Sequence, residues 1–329
     1  MERIRLGTIG SGPIVHWVMD NVVKTPGIRI CAVYSRSEEK GNALAKIYDV
    51  KKVYTDMDAF LGDEEINFVY IASPNILHYP QAKAALLAGK NVILEKPFCT
   101  KASHAAELVQ LAKERHLFLI DATPTVYMPH FSILPQLLPR IGPVRLVSGH
   151  FLQYSSRYDL LLAGKTPNVF NPDFGGGALM DLNYYNVCLT TALFGKPDSA
   201  VYYPNLHSNG IDTSGVMMMV YDGFTTVCTA AKDSRGGITY RIHGESGYID
   251  IADGSSGLSV IRIVTKDGEQ IVDFQPEEDR WIYEVQSIVR LVQAGDYESV
   301  YARLDRMLDV ISTIEKARLE AGIRFPGDY

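Results

Sequence analysis

Lys96 closes an apolar run, Val92-Ile93-Leu94-Glu95, and stands directly before Pro97. A lysine ammonium held beside a hydroxyl oxygen favours the deprotonated form of that oxygen. A lysine so placed can therefore serve alcohol chemistry, although a solvated charge at a strand end has the same local pattern. Asp181 and Tyr185 stand four residues apart behind Gly175-Gly176-Gly177, a spacing that puts both on one face near the start of a helix. A tyrosine hydroxyl titrates near about 10, and a nearby cation that lowers this value makes it a general acid or base. The plainer use is a core ring with one hydrogen bond. The glycine run weighs against that use, because glycine lets backbone approach a ligand closely.

A second motif lies at the N-terminus, where Ile4-Arg5-Leu6 runs into Gly7-Thr8-Ile9-Gly10-Ser11-Gly12-Pro13-Ile14-Val15. Gly10 permits a tight turn, and Gly12 lets the backbone come close to a pyrophosphate. The helix opening at Pro13 offers its N-terminal dipole to the same anion. The third place of the dinucleotide fingerprint holds Val15 instead of a small residue, so an ordinary strand–helix turn stays open on these residues alone. The next strand ends at Tyr34-Ser35-Arg36-Ser37, with no carboxylate before Glu38. A carboxylate there would hold the ribose 2′-hydroxyl of NAD, whereas an arginine accommodates the 2′-phosphate of NADP. Arg36 can grip a phosphate through two parallel bonds, so NADP is favoured over NAD.

These residues need a scaffold. The first 120 residues alternate strand and helix: strands over 3–9, 28–34, 67–72, 91–94 and 117–120, and helices over 13–23, 38–48, 78–88 and 103–115. Repeated βαβ units imply a parallel, doubly wound sheet, whose ligands bind beyond the carboxyl ends of the strands. The rhythm changes near Ala122-Thr123-Pro124. Strand-like runs over 144–154, 214–221, 224–231, 238–243 and 258–264 then dominate, with helices around 178–193, 281–294 and 301–321. That pattern predicts an α+β domain with a mainly antiparallel, open sheet. The domains expected are therefore 1–122, for a dinucleotide, and 123–329, for substrate binding and oligomerisation.

The formal charge of −6 leaves no basic stripe for a nucleic acid. No long apolar stretch follows a basic start, so neither a membrane span nor a signal peptide is expected. Cys31, Cys99, Cys188 and Cys228 are scattered without a CxxC pair, which suits buried free thiols in a reducing compartment and a cytoplasmic protein. The eight histidines form no metal-ligand pattern, so no metal is expected.

Together, Ser73-Pro74-Asn75-x-x-His78, Ala88-Gly89-Lys90-Asn91-Val92, Glu95-Lys96-Pro97 and Gly175-Gly176-Gly177-Ala178-Leu179-x-Asp181 resemble the Gfo/Idh/MocA family of NAD(P)-dependent oxidoreductases. The resemblance runs nearly end to end. It implies a Rossmann domain followed by an α/β domain whose open sheet often forms a dimer interface. It further implies hydride transfer between a nicotinamide and a secondary alcohol or carbonyl of a sugar, polyol or cyclic diol. Lys96 falls on the family's catalytic lysine. Tyr185 replaces the usual histidine, as in the branch of dimeric dihydrodiol dehydrogenase and D-xylose dehydrogenase, and Asp181 would orient the pair. Cofactor contacts are implied for Gly10, Ser11, Gly12, Pro13, Ile14, Ser35 and Arg36. Ser73, Asn75, His78, Glu95 and Lys96 complete that set. Two departures touch the substrate side: Asn183 stands where the branch has glycine, and Asp121-Ala122 replaces a glutamate-alanine start. The alternatives within this pattern are an inositol-type dehydrogenase using NAD, a redox-assisted glycosidase, and a dinucleotide-binding regulator without turnover.

Overall fold

Strands buried on both faces shape the first part of the chain. In the computed structural model, which describes residues 4–277 and 279–328, β1 (Ile4–Ile9) is followed by α1 (Pro13–Val22), β2 (Ile28–Tyr34), α2 (Glu38–Ile47), β3 (Lys52–Tyr54) and α3 (Met57–Gly62). Next come β4 (Phe68–Ile71), α4 (His78–Leu87), β5 (Asn91–Glu95), α5 (Ala102–Arg115) and β6 (Leu119–Ala122). Every residue of β4 and β6 is buried, as expected for a parallel sheet covered on both faces. The order is β3-β2-β1-β4-β5-β6, all parallel. The winding direction reverses between β1 and β4, so the crevice that binds ligands in such sheets opens there. Arg3, where the first strand was expected to begin, lies outside the described residues. The short β3 and α3 carry too little periodic pattern to stand out in the sequence; Asp56 caps α3 by accepting from the Ala59 N–H at 2.7 Å.

From Pro124 onward a second compact unit begins, and the first unit also takes in Asp279–Leu308. Reading by chain order puts that later segment in the second domain. It belongs to the first because its helix lays an apolar stripe on α1: the Trp17 and Trp281 rings lie 4.9 Å apart, and Asn21 donates to Asp279 at 2.6 Å.

The second unit holds α6 (Pro129–Leu137), β7 (Val144–Leu152) and α7 (Tyr158–Leu162), then a π-helical turn over Leu179–Asn183 that runs into α8 (Tyr184–Phe194). After it come β8 (Ser199–Leu206), β9 (Asp212–Tyr221), β10 (Phe224–Ala231), β11 (Ile238–Gly244), β12 (Gly247–Ala252), α9 (Gly254–Gly257), β13 (Ile261–Thr265) and β14 (Gly268–Val272). The chain closes with α10 (Arg280–Ala294) and α11 (Tyr297–Glu320). The sheet order is β14-β13-β12-β11-β7-β10-β9-β8; only the β7–β10 pair is parallel. Strands β8, β12 and β14 go beyond the sequence expectation. Two of them are edges: β8 contains Pro204, tolerated there because an edge strand leaves one side unpaired, and β14 is polar and exposed. The strand expected from residue 258 begins instead at Ile261, because Leu258 takes a left-handed conformation, φ +42°, behind α9. All four cysteines are buried, and no disulfide joins them among the described residues.

The turn after β1 is fixed by sterics at one glycine only. Gly10 has φ +118°, and a Cβ there would stand 2.6 Å from the Ala72 carbonyl oxygen. Gly12 has φ −78°, and nothing lies within 4 Å of its missing Cβ. Gly10→Ala is therefore expected to cost about 1–3 kcal/mol of stability, whereas Gly12→Ala leaves the thermal midpoint unchanged. Equal midpoints for the two variants would refute this assignment.

Candidate active site

In the first unit the carboxyl ends of the parallel strands carry the residues singled out from the sequence. Gly10, Ser11 and Gly12 leave β1, and Pro13 opens α1 with Ile14 behind it. Gly12 caps α1 without a side-chain acceptor, and Pro13 has no donor to lose there. Val15 is fully buried, so its extra methyls sit in the core and do not obstruct the turn. Ser35 and Arg36 leave β2; Ser35 Oγ accepts from the Ser37 N–H at 3.2 Å, and Arg36 is exposed. The open space beside Gly12, the uncapped helix start and an exposed arginine fit an NADP pyrophosphate and 2′-phosphate.

Ser73 and Asn75 follow β4. Ser73 donates to Gln81 Oε1 at 2.6 Å. His78 is 1% exposed, and its two ring nitrogens lie 2.9 Å from the Ser73 and Pro97 carbonyl oxygens. The ring is thus enclosed and braces the loops after β4 and β5. Burial pushes its pKa down to about 4, so it stays neutral at physiological pH.

Glu95 ends β5 at 4% exposed, accepting from Tyr70 Oη at 2.7 Å and from the Lys96 N–H at 3.1 Å. Lys96 follows, half-buried. Burial raises Glu95 to about 7, against the opposing pull of the Tyr70 hydrogen bond and the Lys96 charge. Asp121 on β6 is also buried and raised to about 7 by desolvation, although Thr123 donates to it at 2.9 Å.

In the second unit Asp181 lies inside the π turn and Tyr185 one turn further on. The Tyr185 ring is 6% exposed and walled by Phe151, Ala178, Leu182 and Ala230. Two of the three glycines before it, Gly176 and Gly177, are crowded by protein atoms. A Cβ on Gly176 would stand 2.7 Å from the Val169 carbonyl oxygen, and one on Gly177 2.0 Å from Asp212 Oδ1. Protein atoms make the close approach at both positions. Asp212 uses it to accept from the Leu179 N–H and from Tyr202 Oη, each at 2.7 Å, which pins the start of the π turn. Asn183 is also structural: it is fully buried and donates to the Cys228 carbonyl at 3.0 Å, tying the turn to β10.

Two family models match this chain. The "Oxidoreductase family, NAD-binding Rossmann fold" model covers residues 4–122, and the "GFO/IDH/MocA C-terminal domain" model covers 139–250. The NADP-dependent scyllo-inositol 2-dehydrogenase IolU of Bacillus subtilis is 32% identical over 327 residues, 99% of each chain. The trans-1,2-dihydrobenzene-1,2-diol dehydrogenase of Mus musculus is 23% identical over 99% of each chain. Among solved structures, the 3-ketoreductase KijD10 of Actinomadura kijaniata, in complex with NADP and TDP-benzene, superposes with a TM-score of 0.84 at 21% identity, covering 96% of this chain and 97% of that one. The chain belongs to the GFO/IDH/MocA oxidoreductase family. It is an NAD(P)-dependent oxidoreductase.

The sequence reading of this oxidoreductase missed Lys232. It stands one residue past β10, is 3% exposed, and its ammonium pairs with the Asp181 carboxylate while lying 5.4 Å from the Phe170 ring centre. A lysine after a small-residue strand end looks like a solvated charge; only the pairing of β10 with its neighbours shows that it is enclosed. Its backbone is tied at both ends, the N–H to Thr213 and the carbonyl to Ser155. The Asp181 side chain is 31% exposed and that of Lys232 only 4%. Breaking the pair from the two sides should therefore differ. Asp181→Asn strands a buried ammonium and is expected to cost about 3 kcal/mol or more. Lys232→Met leaves a carboxylate that water can reach, and should cost about 1 kcal/mol. Chemical denaturation of both variants checks this, and the reverse ranking would refute it.

Proposed function

We propose that this oxidoreductase moves a hydride between NADP(H) and a secondary alcohol or carbonyl of a sugar, polyol or cyclic diol. The full-length similarity to an NADP-dependent inositol dehydrogenase carries this reading. Arg36 and the absence of a carboxylate at the end of β2 support NADP over NAD. The cofactor contacts assigned are Gly10, Ser11, Gly12, Pro13 and Ile14 for the pyrophosphate, with Ser35 and Arg36 for the adenosine 2′-phosphate. Ser73, Asn75 and Glu95 line the strand ends, and His78 holds the loops that carry them. The bound dinucleotide supplies the hydride acceptor.

In the oxidation direction Tyr185 takes the proton of the substrate hydroxyl as the hydride leaves the carbon. Lys96 holds that oxygen and stabilises the negative charge that develops on it. Asp181, fixed by Lys232, orients the substrate side. Lys96→Met and Tyr185→Phe are each expected to lower kcat by about 10²–10⁴-fold, with NADPH binding retained for Tyr185→Phe. Full turnover in both variants would end this assignment. Fluorescence titration should show tighter binding of NADPH than NADH, with the preference lost in Arg36→Ala. Tighter NADH binding by the wild-type protein would favour the inositol-type NAD reading.

We further propose a homodimer or higher homo-oligomer formed through the second unit's sheet. Val201, Tyr203, Met218 and Val220 share one face by register and are 38–61% exposed, with Leu146 on the same face at 41%. Contiguous exposed apolar surface of this kind is uncommon on a monomer. Met218→Glu should halve the mass seen by light scattering, and an unaltered mass would refute this interface. A cytoplasmic setting is supported by four buried thiols that form no disulfide among the described residues. Among the described residues no helix is long and apolar enough to cross a membrane, and no group of side chains is placed to hold a metal ion.

A further inference from the structure

The ion pair of Lys232 with Asp181 stands on a particular face of the second unit's sheet. Ala230 on β10 and Ile238 on β11 are both register partners of Phe151 on β7, and all three belong to the apolar wall around the Tyr185 ring. Side chains two apart on a strand point to the same face. The ladder continues one residue past β10, where the Lys232 N–H donates to the Thr213 carbonyl. Lys232 therefore follows Ala230 on the face that walls Tyr185. Asp181 enters the same region from the π turn, four residues before Tyr185.

The other titratable groups near this ring carry little charge or are engaged elsewhere. Strands β7 and β11 turn His150 and Arg241 to the opposite face, His150 against Thr229 and Arg241 onto Asp250. On the ring's side lie Tyr184 and Cys188 of α8, Cys228 of β10 and Tyr240 of β11, all buried. Burial pushes the Cys228 thiol up to about 12 and the Tyr240 hydroxyl well above its usual range, so both stay neutral. Asp212 accepts from the Leu179 N–H and Tyr202, and Asp233 accepts from the Thr213 and Ser214 hydroxyls. An ionised Asp181 by itself, one turn before Tyr185, would oppose negative charge on the tyrosine oxygen. The enclosed Lys232 ammonium brings the pair to no net charge.

We infer that Lys232 is a positioning residue for the acid/base step: it cancels the charge of Asp181, so that this carboxylate stands near Tyr185 without resisting loss of the tyrosine proton. Lys232 acts through Asp181. The inference rests on the reading of Tyr185 as the group that takes the substrate proton, since the hydroxyl must lose its own proton first.

Ultraviolet difference titration of the full chain follows the ionisation of Tyr185 without any substrate. Each protein is measured against its own Tyr185→Phe counterpart, so that the rest of the 19 tyrosines cancel. Lys232→Met leaves the Asp181 charge uncompensated and should raise the Tyr185 midpoint by about one pH unit. Lys232→Met combined with Asp181→Asn removes both charges, strands no buried ammonium, and should return the midpoint to the wild-type value. Lys232→Arg keeps the charge and should also hold that value, which preserves the test if Lys232→Met does not fold. An unmoved midpoint in Lys232→Met overturns the inference. A double variant as high as the single one, or a raised midpoint in Lys232→Arg, overturns it too, because the shift then follows packing and not charge. The two readings fail separately. Full turnover in Tyr185→Phe would remove the tyrosine's role and leave the shift in place, whereas an unmoved midpoint would leave the Tyr185→Phe defect.

Discussion

Charge removed from water has to be paired or neutralised, and both units are arranged around that constraint. In the first, the parallel sheet buries the last residue of β5 and all of β6, so Glu95 and Asp121 are both taken out of solvent. Tyr70, Thr123 and the Lys96 N–H each meet one carboxyl oxygen there, and burial holds the acids partly un-ionised near neutral pH. In the second, Lys232 is enclosed and the Asp181 carboxylate answers it. Asp212, buried behind the glycine run, is met by one N–H and one hydroxyl. Much of the polar structure near the candidate site consists of the groups that make these burials tolerable.

The π turn over Leu179–Asn183 connects this polar structure to the chemistry. It is held at its start by Asp212, at Asp181 by Lys232, and at its end by Asn183 on β10. Tyr185 follows within one turn, its ring wedged among apolar side chains. A hydroxyl with the catalytic role proposed for Tyr185 needs a fixed position more than mobility, because small displacements of a reacting group are costly. Three independent anchors on five residues provide that fixity. Gly176 and Gly177 are required because the Val169 carbonyl and the Asp212 carboxylate approach so closely.

Much of the fold was legible. Periodicity placed the strands and helices of the first unit to within a few residues, and the long runs of the second unit's central strands stood out. The edges did not. Strands β8 and β14 are polar, or broken by Pro204, because an edge need not alternate cleanly, and β12 joins β11 through a tight Gly244–Gly247 connection that the apolar pattern does not mark. Segment 279–308 could not be assigned by chain order, since membership of a unit depends on which surface a helix covers, here α1 under Trp281.

The sequence by itself determined the family, the dinucleotide turn, and the candidacy of Lys96, Asp181, Tyr185 and Arg36, because each depends on residue type and local spacing. Those are properties of short segments. Only the tertiary structure decided that Lys232 is a buried partner of Asp181, that His78 is enclosed between two carbonyls, and that the Glu284 carboxyl is buried. Burial and electrostatic neighbourhood are set by which distant elements pack together, and a lysine or glutamate has the same local pattern whether it faces water or the core.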